Sequence, residues 1–243
     1  MEKVIIVASG KGGTGKTMFA VNMGAVLAKQ GRRVLLIDMD QGMRNMDLYL
    51  GVENKVVFNI MDVMSGICKL NKALIKVDGF DTLFFMAASP QKDDSRLTPG
   101  NMIALCETLV KYFDHIIIDT GAGMDKMLDA SAAAAQTAVV VTEPDIAALR
   151  DADTLSNHLA DIGVKDICMV VNNIDIELVE AGILMDIESI MNSTSTPIVG
   201  LIEGDRDIRI STSIGIPVVR SARGDIVDSF SSIASRILME DQA

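Results

Sequence analysis

The stretch that decides the fold is Val4-Ile5-Ile6-Val7-Ala8-Ser9-Gly10-Lys11-Gly12-Gly13-Thr14-Gly15-Lys16-Thr17. A short apolar run enters a glycine-rich turn, and the turn opens onto the helix-compatible Met18-Phe19-Ala20. Gly10, Gly15, Lys16 and Thr17 occupy the fixed places of the spacing G-x-x-x-x-G-K-[ST], with a buried strand before and a helix after. Glycines permit positive φ, so the backbone can turn several amides toward one anion at a helix N-terminus. Lys16 adds a full charge at the outer phosphates of a nucleoside triphosphate. Thr17 supplies the small hydroxyl that a bridging Mg2+ takes as one of its few protein ligands. The stretch predicts a phosphate-binding loop.

Working outward, Phe19, Ala20, Met23, Leu27 and Ala28 recur at helical spacing, and Gly31 stops that helix before the apolar run Arg33–Asp38. Strand, helix and strand within this span make a right-handed βαβ unit with phosphates at the carboxyl ends of the strands. The pattern repeats. Further strands are predicted at Thr82–Met86, His115–Asp119, Ala138–Val141, Ile167–Val171 and Pro197–Gly200. Helices are predicted around Met102–Tyr112, Ala130–Gln136, Ile146–Ile162, Glu177–Met191 and Asp225–Leu238. Near-continuous apolar strands alternating with helices predict an α/β fold, a doubly wound and mostly parallel sheet covered on both faces. With 243 residues, no linker and no internal repeat, residues 1–243 are expected to form one domain.

Composition narrows the class. The net charge of −11 opposes non-specific binding to nucleic acid or to anionic lipid across the whole surface. Cys68, Cys106 and Cys168 lie far apart without metal-ligand spacing, so they read as buried reduced thiols of a cytoplasmic protein. A first strand starting this close to Met1 leaves no room for a signal peptide, and no apolar run reaches the ~18 residues of a membrane span. His115 and His158 are isolated, and most of the sixteen methionines read as adaptable core filler.

Polar residues at the predicted carboxyl ends supply the remaining candidates. Asp38 and Asp40, two apart in extended chain, would point the same way and hold a magnesium-bound water beside a hydrolytic one. Asp119 ends the strand His115–Asp119, where a carboxylate could reach the metal through Thr17 and water. Asn172 ends the strand Ile167–Val171. Its amide suits an adenine edge, and an asparagine terminating a strand is equally an ordinary loop residue.

Lys11 is a second lysine within the loop, and the run Gly10–Thr17 that carries it resembles the deviant Walker A signature of the MinD/ParA family of dimeric P-loop ATPases. Asp38-Met39-Asp40-Gln41-Gly42-Met43-Arg44-Asn45-Met46-Asp47, continuing to Gly51, is similar to the first switch of the family's cell-division branch, with methionine replacing both leucines of its pattern. Thr120-Gly121-Ala122-Gly123 looks like the second switch, with Gly121 where proline is usual and the loop therefore more mobile. The likeness is strongest over Gly10–Thr17 and Asp38–Gly51, continues through Asn59–Lys76 and Arg96–Gly123, and weakens after Asn172.

The resemblance implies specific roles. Gly10 through Met18 and Asn172 would bind ATP. Thr17, Asp38, Asp40 and Asp119 would surround Mg2+. Lys11, Lys16 and Asp40 would be catalytic, Lys11 by reaching the nucleotide of a partner subunit in an ATP-dependent homodimer, and Asp40 by orienting the attacking water. Ile202-Glu203-Gly204-Asp205 would close over the base. Met43 and Met46 would face a partner on dimerisation, and the Arg150-Asp151-Ala152-Asp153 helix would face an unidentified activator or cargo protein. The implied activity is a Mg-ATP switch in spatial positioning, of the cell-division-site kind, with a flagellar-number ATPase and a nucleotide-driven metal or cofactor carrier as alternatives. The family's membrane-binding members carry a basic amphipathic tail, whereas this chain ends Met239-Glu240-Asp241-Gln242-Ala243 after a stripe with the single base Arg236. Acidic ends oppose anionic lipid, so the last helix is expected to pack on the domain. Any inner-membrane location would come through a partner.

Overall fold

The apolar runs form strands, and the helical spacings form helices that cover them. The structure is a computed structural model describing residues 4–41, 44–91, 96–221 and 224–239. Its elements run β1 (Val4–Ser9), α1 (Lys16–Lys29), β2 (Val34–Asp38), α2 (Met46–Leu50), α3 (Ile60–Met64), α4 (Leu70–Ala73), β3 (Ile75–Lys76), β4 (Leu83–Met86), α5 (Pro99–Leu109) and β5 (His115–Ala122). There follow α6 (Lys126–Ala132), β6 (Thr137–Thr142), α7 (Ile146–Ile162), β7 (Asp166–Ile174), α8 (Ile176–Glu180), α9 (Ile187–Asn192), β8 (Ile198–Glu203), α10 (Arg206–Ser213), α11 (Val218–Ser221) and α12 (Gly224–Ile237).

The eight strands lie in the order β3-β4-β2-β5-β1-β6-β7-β8. Among the described residues only the β3–β4 pairing is antiparallel. From β1 the chain moves first to one side, through β2 to β5, and then to the other, through β6 to β8. The order therefore reverses about β1, and at that reversal the loops separate and leave a crevice at the carboxyl ends. Register sets what faces the crevice: Val7 and Asp38 both pair with Asp119, so these residues of three adjacent strands stand level near the carboxyl ends.

Strand alternation sends successive side chains to opposite faces. Ile5, Val7, Leu36, Ile117 and Val139 face α1 and α12, while Ile6, Leu35, Ile37, Ile116 and Val140 face the layer of α5, α6 and α7. Helix α1 is buried almost all round, which explains its apolar run, because α12 packs over it and sets Phe230 against Phe19 with ring centroids 6.3 Å apart. Gly24 admits the sheet closely, since a Cβ there would meet Leu36 Cδ2 at 2.7 Å. Phe230, Ile233, Ala234 and Ile237 of α12 are buried, so the apolar stripe of the last helix faces the protein. Glu240–Ala243 lie outside the described residues. No helix among the described residues is long and apolar enough to cross a membrane.

Several boundaries differ from the sequence expectation, each for a local reason. The helix expected over Glu177–Met191 is two. Gly182, at φ 69°, ends the first, with Ile183 and Leu184 N–H donating back to Leu178 O, and Asp186 then caps α9 at Ser189 N–H. Helix α6 starts early because Asp125 accepts from Leu128 N–H, and α5 starts early because Thr98 caps it with Pro99 in its first turn. Strand β5 runs on to Ala122, which pairs with Ser9 after a bulge, and Thr120 Oγ1 donates to Val7 O. The expected mobile second switch is therefore strand for three of its four residues. Cys106 and Cys168 are buried as expected, but Cys68 is half-exposed.

Candidate functional site

The loop after β1 carries its turn at Gly13 and Gly15, with φ of 86° and 88°, and Gly15 is the N-cap of α1. The first-turn amides of a helix have no acceptor four residues back, so those of Lys16, Thr17 and Met18 are available to an anion. Among the described residues, no atom beyond the adjoining ones in the chain lies within 4 Å of where a Cβ of Gly12 or Gly13 would stand. Thr14 Oγ1 is buried without a hydrogen-bond partner among the described residues. These open amides, the clear space and the orphaned hydroxyl fit a bound phosphate chain.

Lys16 Nζ donates to Asp119 Oδ1 at 2.9 Å and Thr17 Oγ1 donates to Asp119 Oδ2 at 2.5 Å, so the three expected site residues meet on one buried carboxylate. Burial pushes the Asp119 carboxyl up, opposed by the charge of Lys16 and by both hydrogen bonds. Asp38 is also buried, and burial with the neighbouring Asp119 charge pushes it up to about 7. Its oxygens accept from the N–H groups of Asp40 and Met46. The two aspartates therefore do not point the same way. Asp38 is turned inward to hold the backbone of the first switch, and Asp40 lines the open cavity.

That cavity, about 770 Å3, is bounded by Gly12–Thr17, Asp40, Tyr49, Gly121 and Lys126. Tyr49 and Lys126 had no motif to announce them. Tyr49 is the one aromatic of the first-switch segment, and Lys126 follows the second. Met18 reaches the site only through its backbone, since its side chain is in the core. Met46 is fully buried, which corrects its expected place on a partner-facing surface, and Gly42 and Met43 lie outside the described residues.

Asn172 is buried beside the loop and donates from Nδ2 to Thr14 O at 2.9 Å. Gly15 needs its glycine twice, for its positive φ and because a Cβ would collide with the Asn172 amide. The segment Ile202–Asp205 is clasped to the same strand end, with Gly204 N–H donating to Ile174 O. The Arg150–Asp153 turn of α7 is divided, with Arg150 and Asp151 exposed, Asp153 half-buried and Ala152 buried. Asp151 lies 3.4 Å from Lys11 Nζ, and a Cβ on Gly10 would meet Asp151 Cβ at 2.9 Å. Ala152 is buried, and Asp153 accepts from Thr194, Ser195 and Thr196. Arg150 alone of the four is exposed and outside these contacts.

A triphosphate-sized crevice at a sheet reversal, with a lysine and a threonine from a glycine loop sharing a strand-end carboxylate, defines a P-loop nucleotide-binding protein. The model of the CobQ/CobB/MinD/ParA nucleotide binding domain matches residues 5–218, and the chain belongs to that family. It is 36% identical over 242 residues to the septum site-determining protein MinD of Synechocystis, covering 99% of this chain and 91% of that one. Against the MinD of Bacillus subtilis it is 35% identical, covering 99% and 90%. Among solved structures it is similar to the MinC:MinD cell division protein complex of Aquifex aeolicus, with a TM-score of 0.89, 30% identity and coverage of 99% and 97%. It is similar also to the septum site-determining protein MinD complexed with Mg-ADP from Pyrococcus horikoshii, with a TM-score of 0.85, 27% identity and coverage of 98% and 96%.

Proposed function

We propose that this chain is a MinD-like ATP switch in cell-division-site placement, which binds ATP with Mg2+, pairs with a second copy and separates after hydrolysis to ADP and phosphate. The observation that carries the reading is the shared carboxylate: Lys16 and Thr17 both sit on Asp119 at the floor of a cavity whose wall bears Asp40.

The residues divide the work. Lys16 exchanges Asp119 for the outer phosphates, because a triphosphate offers more negative charge than one buried carboxylate. Thr17 would hold Mg2+ directly, with Asp119 supporting it through water; when bound, the ion neutralises charge that develops on the phosphoryl oxygens. Asp40 faces the cavity and accepts a hydrogen bond from the attacking water, fixing its approach. Asp38, turned into the backbone, positions Asp40 by holding its N–H.

Lys11 is the trans element. In the single chain it rests on Asp151 as an exposed ion pair, worth about 0.2–1 kcal/mol at most, so a partner's phosphates can draw it away. A lysine arriving across the dimer stabilises transition-state charge as an arginine finger does, which makes hydrolysis wait for pairing. By likeness to the Aquifex complex, a MinC-type protein is a proposed partner. A cytoplasmic location, with any membrane recruitment supplied by a partner, belongs to the same proposal. A metal carrier needs converging thiolates, and here the two buried cysteines lie on separate elements, α5 and β7.

Two variants test the reading. Lys16→Ala should abolish ATP binding in equilibrium dialysis. Asp40→Ala should still dimerise with ATP in sedimentation and turn over far more slowly. Wild-type turnover by Asp40→Ala overturns its assignment, and unchanged ATP affinity in Lys16→Ala overturns the site.

A further inference from the structure

From Asp166 to Asp205 the chain carries eight carboxylates and no Lys, Arg or His. The middle of that stretch is the α8–α9 excursion between β7 and β8, and its outer side is both acidic and apolar. Ile183 and Leu184 N–H fold back onto Leu178 O, which gathers three exposed apolar side chains at the end of α8. Ile187 and Met191 follow at i, i+4 on α9 and share one face. Ile183 is 69% exposed and Met191 58%, a high apolar exposure for positions within nine residues of chain. Glu177, Glu180 and Glu188 are exposed around them, and none has an ion-pair partner among the described residues.

The surface continues past Met191 into a groove of about 460 Å3 between β8 and α12. Strand β8 is the last of the sheet, and Asp225 and Asp228 stand on the helix side of the groove. The base there, Arg236, is engaged with Val199 O at 3.0 Å. Apolar anchors flanked by Glu177, Glu180 and Glu188 complement a segment of opposite charge and similar greasiness.

We propose that the α8–α9 face docks a basic amphipathic helix of another protein, its apolar residues seated on Leu178, Ile183, Ile187 and Met191 and its lysines or arginines meeting Glu177, Glu180 and Glu188. The charge excludes the other occupants. Anionic lipid and nucleic acid are repelled, and a second copy offering this same face repeats every carboxylate. The face is also wired to the loop, because α8 begins just after the strand end whose Asn172 holds Thr14 O. The inference stands apart from the proposed ATPase activity and needs neither turnover nor dimerisation.

The test is a fluorescence-anisotropy titration of the full chain with two labelled synthetic helices, one with leucines at i, i+4 and lysines elsewhere, the other with glutamate replacing every lysine. The lysine peptide should bind saturably at one site, weakening as salt rises, and the glutamate peptide should not bind. Ile183→Ser with Ile187→Ser should weaken binding roughly 10- to 100-fold, since two apolar anchors are lost. Replacing Glu177, Glu180 and Glu188 by Gln should flatten the salt dependence. Val57→Ser, an exposed apolar residue elsewhere, should change nothing. All these positions are exposed, so unaltered melting temperatures will show that the variants fold. The proposal is overturned if the serine pair binds like wild type, if the glutamate peptide binds equally well, if the lysine peptide does not bind, or if the free protein self-associates and the serine pair abolishes that association.

Discussion

Asn172 separates two accounts of the same residue, and Asn172→Ala decides between them. In the structure its amide holds Thr14 O at 2.9 Å within a buried contact, so its first duty is to the loop. Truncation removes one hydrogen bond and leaves a buried carbonyl without its partner, a cost of about 1–3 kcal/mol. For a chain of this size each kcal/mol moves the melting temperature by roughly 2–4 °C, so the nucleotide-free protein should melt about 2–12 °C lower. Because the brace acts on the backbone that cradles phosphate, affinity for inorganic tripolyphosphate should fall in parallel with affinity for ATP. Calorimetric melting of the free protein and competition titration with both ligands measure this. An adenine contact alone predicts a different pattern: an unchanged melt, weaker ATP and unaltered tripolyphosphate. That pattern would refute the bracing argument.

Other consequences are as direct. Asp151→Asn frees Lys11 in both subunits before pairing, and two exposed ion pairs at about 0.2–1 kcal/mol each should tighten the ATP-analogue dimer by roughly 2- to 30-fold in sedimentation equilibrium. A weaker dimer would mean that Asp151 serves the interface. Asp153 gathers the Thr194–Thr196 turn. Burial raises its carboxyl, but the hydrogen bonds from Thr194, Ser195 and Thr196 prevail and hold it below the ordinary 3.8. A depressed carboxylate stabilises above its unfolded value and loses that stabilisation as pH falls through the folded one. Asp153→Asn should therefore cost about 1–2 kcal/mol in denaturant unfolding at pH 7, with the gap to wild type closing below about pH 4. Of the three thiols, burial pushes Cys106 and Cys168 up to about 12, so Cys68 alone should react with a thiol reagent in the native protein at pH 8. Fast labelling of all three would contradict the described core.

The amino-acid sequence by itself determined the parts that depend on local spacing. The glycine loop, the strand–helix alternation and the residue types around the phosphates all follow from patterns within a few residues, and the structure finds Lys16, Thr17 and Asp119 together. Boundaries were legible to within a turn except where a side chain capped early or, as at Gly182, a positive φ broke a continuous helical spacing. The tertiary structure alone decided the long-range relations. That Asp38 faces the backbone and Asp40 the cavity depends on Met46 N–H folding back, which the alternation of an extended strand does not foretell. That Lys11 rests on Asp151, that Asn172 holds Thr14, and that Asp153 gathers the Thr194–Thr196 turn depend on segments between about forty and 160 residues apart being brought together. Hydrophobic periodicity sets which face of an element is buried. Which polar side chains then meet is a matter of strand order and register, and these exist only once the sheet is assembled.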